Sequence, residues 1–529
     1  MTKEKPPPAG TSSFPRSRCI PAVPMVNSLG TGGILSPHGT PLLPTETIKP
    51  KPHMTTRDLP PIILLLLDAA GANRFSLYGY HRRTTPEMER LAPEAAVYRY
   101  CFTPSPWTIP SHASLFTGLY PHEHECNSSL TGMRSDLLVL PEILRDMGYH
   151  TVGISSNFLV SRPVGFHRGF TEFYEMGTLF QDPRYLEAKA RYLKARKELK
   201  TDWDRTKYIF KSLREIGDYT FPIKKNIDKL YQKFFADPNV STVVMTRRTM
   251  RLAKKLIKRF RAHGSPFFML INLMETHRAF EAPFPFNQAF QQVNPQVKKR
   301  LADPAVNDFI YEEDPALRKE RADLWNVCLD QEILFTDSLV GDFHRFLRGE
   351  NLLDRVLWII TSDHGEGMGE HGLFDHYFSV YNEVLHIPLI VKYPRDFGVR
   401  GEFSHLAQLH DVFATLCEIA DAPWPIPFSS HSLLNGSRDF AFAELLDNSR
   451  GIDYMRRRKQ SFTIHSCMLP GDTGISADLW KLIRWQDGTR ELYDLNRDLH
   501  EEVNLIKDPQ YVDKAAFLDR QLKEVRDNS

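Results

Sequence analysis

A hydroxyl, two carboxylates and a histidine, drawn from three separate segments, carry the chemistry readable in this sequence. Thr108 lies in Pro104-Ser105-Pro106-Trp107-Thr108-Ile109-Pro110-Ser111-His112, where three prolines keep the approach non-helical until a helix can begin near Ser111. A hydroxyl just ahead of a helix N-terminus faces free backbone N–H groups that favour a bound anion, a good address for a nucleophile acting on a phosphate or sulfate ester. Asp68 ends the apolar run Ile62–Leu67, and Asp363-His364 end a second run that starts at Val356. A third run, Phe267–Met274, ends with Glu275 and His277. If these strand ends meet, Asp68, Thr108, Asp363 and His364 converge on one divalent cation. Mixed oxygen and nitrogen donors leave Mg²⁺, Mn²⁺, Ca²⁺ and Zn²⁺ all open.

The elements that must bring these groups together follow from the type of apolarity. Continuous rather than alternating apolar runs suit strands buried on both faces, so Leu59–Asp68, Pro266–Met274 and Val356–Ser362, separated by helical segments, predict an α/β doubly wound sheet. Ligands of such sheets collect beyond the carboxyl ends of the strands. Thr84-Thr85-Pro86 reads as a capped helix start, and 403–420 as the last helix of the main domain. After Pro423, Pro425 and Pro427 come shorter strands at Phe440–Glu444, Ser461–Cys467, Trp480–Trp485 and Leu492–Leu495, then a helix over Val512–Val525. The expected division is a tail over 1–58, a catalytic domain over 59–425 and a small α+β unit over 426–529.

Composition narrows the class. Twelve of the 37 prolines fall within residues 1–60, and such a tail cannot bury enough apolar surface to offset its ordering entropy. The six cysteines show no C-x-x-C pair, which argues against a zinc ribbon or a disulfide scaffold. Ile62–Leu67 is too short to span a bilayer and no secretory h-region is visible, so a cytoplasmic setting is expected. Net charge is +2, and no nucleic-acid partner is expected. Residues 184–263 nevertheless carry 23 Lys/Arg against 8 Asp/Glu. With Met250, Ala253, Leu256, Ile257 and Phe260 on one face, this segment either packs with a solvated basic face or attracts an anionic polymer or lipid surface.

Read together, these stretches resemble the sulfatase family of the alkaline-phosphatase superfamily. The resemblance is carried by Leu67-Asp68 with Tyr78-Gly79-Tyr80, by Thr84-Thr85-Pro86, and by Pro106-Trp107-Thr108-Ile109-Pro110-Ser111-His112 running on to Gly118-Leu119-Tyr120-Pro121. It continues in Ser362-Asp363-His364-Gly365-Glu366 through Gly369-Glu370-His371-Gly372-Leu373, then His386-Ile387-Pro388-Leu389-Ile390-Val391, Leu492-Tyr493-Asp494-Leu495 and Glu502-Val503-Asn504-Leu505. It covers roughly residues 60 to 505 in the family's order. It implies a mostly parallel α/β sheet, a small C-terminal antiparallel subdomain, one divalent metal on Asp68, Thr108, Asp363 and His364, and an anionic ester as substrate (small molecule, glycan or lipid head group).

The departures from the family pattern redirect the chemistry. In the C-x-P-x-R motif, whose cysteine becomes formylglycine, this chain has Thr108, Pro110 and His112. Cys101 lies seven residues earlier without the following proline. The usual second acid after Asp68 is Ala69, and no G-K-x-H appears in Gly153–Asn157. His277 matches the family's strand-end histidine, and His376 stands where the family has a substrate lysine. His112, His277 and His376 are therefore expected to line the substrate pocket, with His371 shaping its loop and His122-Glu123-His124 in a solvated loop. A formylglycine hydrate expels sulfate through its second hydroxyl, which threonine lacks. Phosphoryl transfer has no such restriction. The expected activity is metal-dependent hydrolysis or transfer of a phosphate or sulfate ester by Thr108, phosphorus favoured. The alternatives are a sulfuric ester hydrolase without formylglycine and a catalytically silent binding protein.

Overall fold

The computed structural model describes residues 59–128, 131–177, 242–277, 280–294, 314–423, 429–449 and 464–527, with a few isolated positions between them. The expected tail over 1–58 and most of 184–241 lie outside the described residues. The strands are β1 (Ile62–Leu67), β2 (Ala96–Phe102), β3 (His150–Ser155), β4 (Glu172–Glu175), β5 (Phe267–Leu273), β6 (Leu357–Thr361), β7 (Gly367–Met368) and β8 (Phe374–Asp375). They continue with β9 (His386–Lys392), β10 (Gly401–Gln408), β11 (Phe440–Leu445), β12 (Gly471–Ser476), β13 (Trp480–Trp485) and β14 (Arg490–Asp494).

Eight of them form one sheet in the order β10-β2-β9-β6-β1-β5-β3-β4. All run parallel except β9, which is antiparallel to both of its neighbours. The centre is β1, every residue of which is buried. Its even-numbered side chains Ile62, Leu64 and Leu66 enter one core cluster, and its odd-numbered Ile63, Leu65 and Leu67 the other. That is why its apolarity is continuous: two layers of helices need both faces. The helices Thr108–Thr117, Leu140–Asp146 and Asp411–Ile419 contribute to the first layer. Thr242–His263 and Pro315–Gly349 contribute to the second.

On the helix Thr242–His263, Met250, Ala253, Leu256, Ile257 and Phe260 are buried against the sheet, as their spacing predicts. Its basic side chains meet acids of neighbouring elements, Lys254 with Asp342, Lys258 and Arg261 with Glu350, and Arg259 with Glu172. This helix therefore packs on the sheet and pairs four of its basic side chains with acids. Most of the rest of the basic segment lies outside the described residues.

Two expectations about the C-terminal third need correction. Residues 403–420 are not one helix: β10 ends at Gln408 and a helix runs Asp411–Ile419. β10 is a sheet edge with a half-exposed outer end, so its apolar pattern is too diluted to announce a strand. Of the strand expected at Ser461–Cys467, residues 461–463 lie outside the described residues; the rest is not strand, since a short 3-10 turn occupies Ser466–Met468 and β12 follows it. Gly471 and Gly474 weaken the strand signal there, although each is needed because a Cβ would meet Trp485 or Phe440.

The order β11-β12-β13-β14 makes an antiparallel meander, covered by the helix Val512–Asp527 through Ala515, Leu518 and Leu522. This small unit is tied to the large sheet by polar contacts as well as apolar ones. Glu444 N–H donates to the Pro104 carbonyl (3.0 Å), which sets β11 beside the approach to Thr108. Buried Lys481 donates to the Val380 carbonyl (2.8 Å) and to Asn382 Oδ1 (2.9 Å), and pairs with Glu501 (2.7 Å).

Candidate active site

Every segment singled out above ends at the same edge of the sheet. Asp68 follows β1, Asp363 and His364 follow β6, His277 follows β5, and Asn157 follows β3. Thr108 reaches that edge from β2. The helix bearing it begins at Thr108 itself, not at Ser111, with Trp107 in extended conformation as its N-cap. Pro110 is tolerated because N–H groups of a first helical turn have no intrahelical partner to lose.

The cluster is compact. One ligand-type atom each of Asp68, Asp363 and His364 lies within 4.8 Å of the others. All three residues are fully buried. Thr108 Oγ1 is 3.3 Å from His364 Nε2, which in turn is 3.5 Å from Asp363 Oδ2 and 4.0 Å from Asp68 Oδ1.

The surrounding hydrogen bonds dictate which atoms point inward. His364 Nδ1 lies 2.8 Å from the Gly365 carbonyl, an acceptor only, so Nδ1 carries the proton and Nε2 presents its lone pair. Asp363 Oδ1 accepts from the N–H groups of Ala69 (3.1 Å) and His364 (3.0 Å), while Oδ2 has no hydrogen-bond partner. Asp68 Oδ2 accepts from Asn157 Nδ2 (2.6 Å), while Oδ1 has no hydrogen-bond partner. Ala69, where the family pattern has its second acid, adopts a left-handed φ of 60° and turns the chain so that its N–H reaches Asp363. Gly365 is required by close approach, since a Cβ there would stand 2.0 Å from the Glu383 carbonyl oxygen.

The electrostatics fit a cation. Burial, then repulsion from Asp363, pushes the Asp68 carboxyl above the usual range, and burial does the same to Asp363. Burial, then repulsion from His376, pushes His364 down to about 3, which keeps its imidazole neutral as a metal ligand must be. Two buried carboxylates each presenting an unbonded oxygen, beside a neutral imidazole with its lone pair turned in, make a group that could hold a divalent metal. Glu366, Asp375 and His376 form a second group of metal-ligand types, and His371, Glu383 and Glu501 a third. The second holds its own cationic group: although burial opposes the charge, Glu366 and Asp375 push His376 up to about 9.

The expected pocket histidines join the same cluster by different routes. The His376 ring stacks on that of His364 at 4.2 Å, and His277 meets His376 edge-on at 5.2 Å. His112 is fully buried, with Nδ1 2.9 Å from the Thr108 carbonyl and 3.5 Å from Asp363 Oδ2. Its Nε2 has no hydrogen-bond partner. His371 adopts a φ of 52°, stacks on Tyr381 at 3.8 Å and shapes its loop.

The histidines after Tyr120 need correction. They sit on a short helix, Pro121–His124, rather than in a solvated loop, because the chain packs under β11 there. His122 Nδ1 lies 2.6 Å from Glu444, and buried His124 pairs with Ser114. That Ser–His pair is not a nucleophile and base: His124 Nδ1 accepts from the Cys126 N–H (3.0 Å), so the proton sits on Nε2 and points at the serine. Cys101 is fully buried within β2, and burial raises its thiol well above the usual value.

Asn157 is the contact that the sequence did not disclose. The family pattern points to a lysine and a histidine in this segment, whereas the signal that marks Asn157 is a polar residue just past the end of a buried strand, as for Asp68. Replacing Asn157 with Ala removes the hydrogen bond that fixes Asp68. We expect Mn²⁺ affinity, read by isothermal titration calorimetry, to weaken about 10–100-fold with the far-ultraviolet spectrum unchanged, the usual cost of losing an outer-shell partner.

Residues 60–422 match the Sulfatase family, and residues 369–528 match the C-terminal region described as N-sulphoglucosamine sulphohydrolase. The chain is similar to the "Uncharacterized sulfatase YidJ" of Escherichia coli, with 22% identity covering 88% of this chain and 87% of that protein. It is also similar to the N-acetylglucosamine-6-O-sulfatase of Bacteroides thetaiotaomicron, with 24% identity covering 88% and 86%. Among solved structures it resembles the phosphonate monoester hydrolase of Agrobacterium radiobacter, with a TM-score of 0.61, 19% identity and coverage of 89% and 96%.

Proposed function

This chain belongs to the sulfatase family, whose members are hydrolases of sulfuric and phosphoric esters, and from that premise we propose that Thr108 is its nucleophile and a phosphoester its substrate. The observation that carries the reading is the position of Thr108 Oγ1, 3.3 Å from His364 Nε2 at the first turn of a helix and beside the unbonded oxygens of Asp68 and Asp363. Asp68, Asp363 and His364, with the Thr108 oxygen, would hold one divalent cation. When bound, the cation supplies positive charge that lowers the threonine pKa and offsets charge on the transferred group.

The chain's own residues supply the rest. The helix N-terminus aims free N–H groups at an anion beside Thr108. Thr108 Oγ attacks phosphorus, forming an O–P bond as the bond to the leaving alcohol breaks. His376, held protonated between Glu366 and Asp375, is the acid that gives the departing oxygen its proton. His277, edge-on to His376, contacts the ester oxygens. His112 donates from Nδ1 to the Thr108 carbonyl and packs 3.5 Å from Asp363 Oδ2, so it holds the first turn of the nucleophile's helix against the carboxylate. Water then attacks phosphorus and gives a proton back to His376 as the Thr108 Oγ–P bond breaks, so phosphate leaves and both the acid and the Thr108 oxyanion are restored.

Phosphorus is preferred because threonine lacks the second hydroxyl by which a formylglycine hydrate expels sulfate. A second reading, sulfate-ester hydrolysis through Thr108, is favoured by the match of residues 369–528 to a sulphohydrolase C-terminal region. Parallel assays on phenyl phosphate and phenyl sulfate with Mn²⁺ separate the two. The first reading expects phosphate turnover to dominate, and sulfate turnover of equal size would contradict it.

A further inference from the structure

A separate excess of buried negative charge lies where the small C-terminal unit meets the segment that follows Asp363 and His364. Glu383, Glu491 and Glu501 are buried there, and all three act on the ammonium of fully buried Lys481. That ammonium is engaged by Glu501 at 2.7 Å, by the Val380 carbonyl and by Asn382 Oδ1. Glu491 accepts from neutral groups, the Tyr381 and Tyr493 hydroxyls and the Trp485 ring N–H. Glu370 is already paired with Arg74. Glu383 forms no ion pair with a lysine or arginine among the described residues, and its Oε1 is buried without a hydrogen-bond partner. Three carboxylates against one ammonium leave two negative charges uncompensated inside the protein, which is costly unless something balances them.

The side chains around that excess are arranged as ligands. One ligand-type atom each of His371, Glu383 and Glu501 lies within 4.8 Å of the others. Glu383 is 4% exposed, and His371 Nε2 is also buried without a hydrogen-bond partner, 3.8 Å from Glu383 Oε2. That separation is too long for a hydrogen bond. Two donors each about 2.0–2.2 Å from one cation, in contrast, stand about 3–4 Å apart. The ligand groups are also held in place. The His371 ring stacks on Tyr381 with planes 11° apart, and His371 and Glu501 both sit at positive φ, 52° and 58°. Glu501 receives the Asn382 N–H at Oε2 (2.6 Å) and Lys481 at Oε1, the outer-shell donors that a ligating carboxylate carries.

We propose that His371, Glu383 and Glu501 form a second divalent-cation site, separate from that of Asp68, Asp363 and His364. Two charges on the ion match the two that the carboxylates leave over. One imidazole with two carboxylates suits Zn²⁺ or Mn²⁺ better than the oxygen-seeking Ca²⁺. His371 comes from the turn after β7, Glu383 from the short helix Asn382–Leu385 and Glu501 from the chain beyond β14, so the ion staples the C-terminal unit to the large domain. The staple bears on the sheet edge as well, because Gly365, next to His364, donates its N–H to the carbonyl of Val384, next to Glu383 (2.9 Å). The site stands whether or not Thr108 is the nucleophile.

The test counts metal bound by the full chain after dialysis against excess Zn²⁺ or Mn²⁺. It compares wild type, Glu383→Gln, His371→Gln, Asp363→Asn, and Glu383→Gln combined with Asp363→Asn. Glu383→Gln and His371→Gln are each expected to hold one equivalent less than wild type, and the combined variant two less. Wild-type metal content in folded Glu383→Gln, with either ion, would overturn the site and leave Glu383 as a carboxyl that keeps its proton. Should Glu383→Gln not fold, Asp363→Asn carries the test with the cluster untouched. Added Zn²⁺ is then expected to raise its Tm, an effect that His371→Gln removes. No rise, or a rise that survives His371→Gln, would refute the proposal.

Discussion

Thr108→Ala is expected to reduce turnover of phenyl phosphate by about 10³-fold or more, with KM for the residual activity little changed, since the residue removed is the one proposed to form the bond. The loss should not come from misfolding. Thr108 is the first residue of its helix and not its cap, and the N-cap Trp107 makes no side-chain capping bond. The substitution removes one hydroxyl and one methyl from a site whose packing is supplied by Ile109, Ala113 and Phe116. Thr108→Ser keeps the hydroxyl and is expected to retain activity within about tenfold, the residual cost being the freer serine rotamer. Alanine at 108 with undiminished turnover would move the nucleophile elsewhere.

Arg438→Met is expected to have the largest effect on stability, about 3–5 kcal/mol, because it strands a buried carboxylate. Arg438 is buried and grips Asp411 with both Nε (3.0 Å) and Nη2 (2.6 Å), and also donates to Gln408 Oε1 and the Ser429 and Phe440 carbonyls. It ties the helix that starts at Asp411 to the first strand of the C-terminal sheet, so the break should release both.

The pH dependence gives a sharper check. Burial alone would raise the Asp411 carboxyl, but the Arg438 guanidinium outweighs it and holds Asp411 below the usual range. A depressed carboxylate stabilises the fold above its unfolded pKa of about 4, and that contribution is lost as pH falls through the depressed value. In the variant the sign reverses, because Asp411 keeps only the N–H groups of Gln408 and His431 against the cost of burial and gains stability on taking up a proton. The gap in Tm between wild type and Arg438→Met should therefore be widest near neutrality and narrow as pH falls toward 4. A gap that is constant with pH would show that lost packing, not the stranded charge, causes the effect.

The parts of this molecule that could be read in advance share one property, that both faces of the element are buried. Ile62–Leu67, Phe267–Leu273 and Leu357–Thr361 are continuous apolar strands, and the polar residue after each marks the sheet edge where the cluster forms. Asp68, Asp363 and His364 stand out for that reason, whereas Thr108 is marked by the prolines that hold back its helix. β10 reads as helix from sequence because its outer end faces solvent and dilutes its apolar pattern, and β12 is weakly signalled because glycines stand where strand formers would. Asn157 is marked only by its place just past β3; its residue type gives no sign that it would donate to Asp68. Burial of His124 depends on a distant contact with β11 and Ser114, which local sequence cannot supply.

The most direct measurement is a rapid quench of the Mn²⁺-loaded enzyme with excess phenyl phosphate, followed by peptide mass analysis. If Thr108 is the nucleophile, one phosphoryl group appears on the peptide containing Thr108, accumulates within a turnover and is absent from Thr108→Ala. Turnover of the same ester with no phosphoryl group on Thr108, or with it on another residue, would contradict the threonine mechanism.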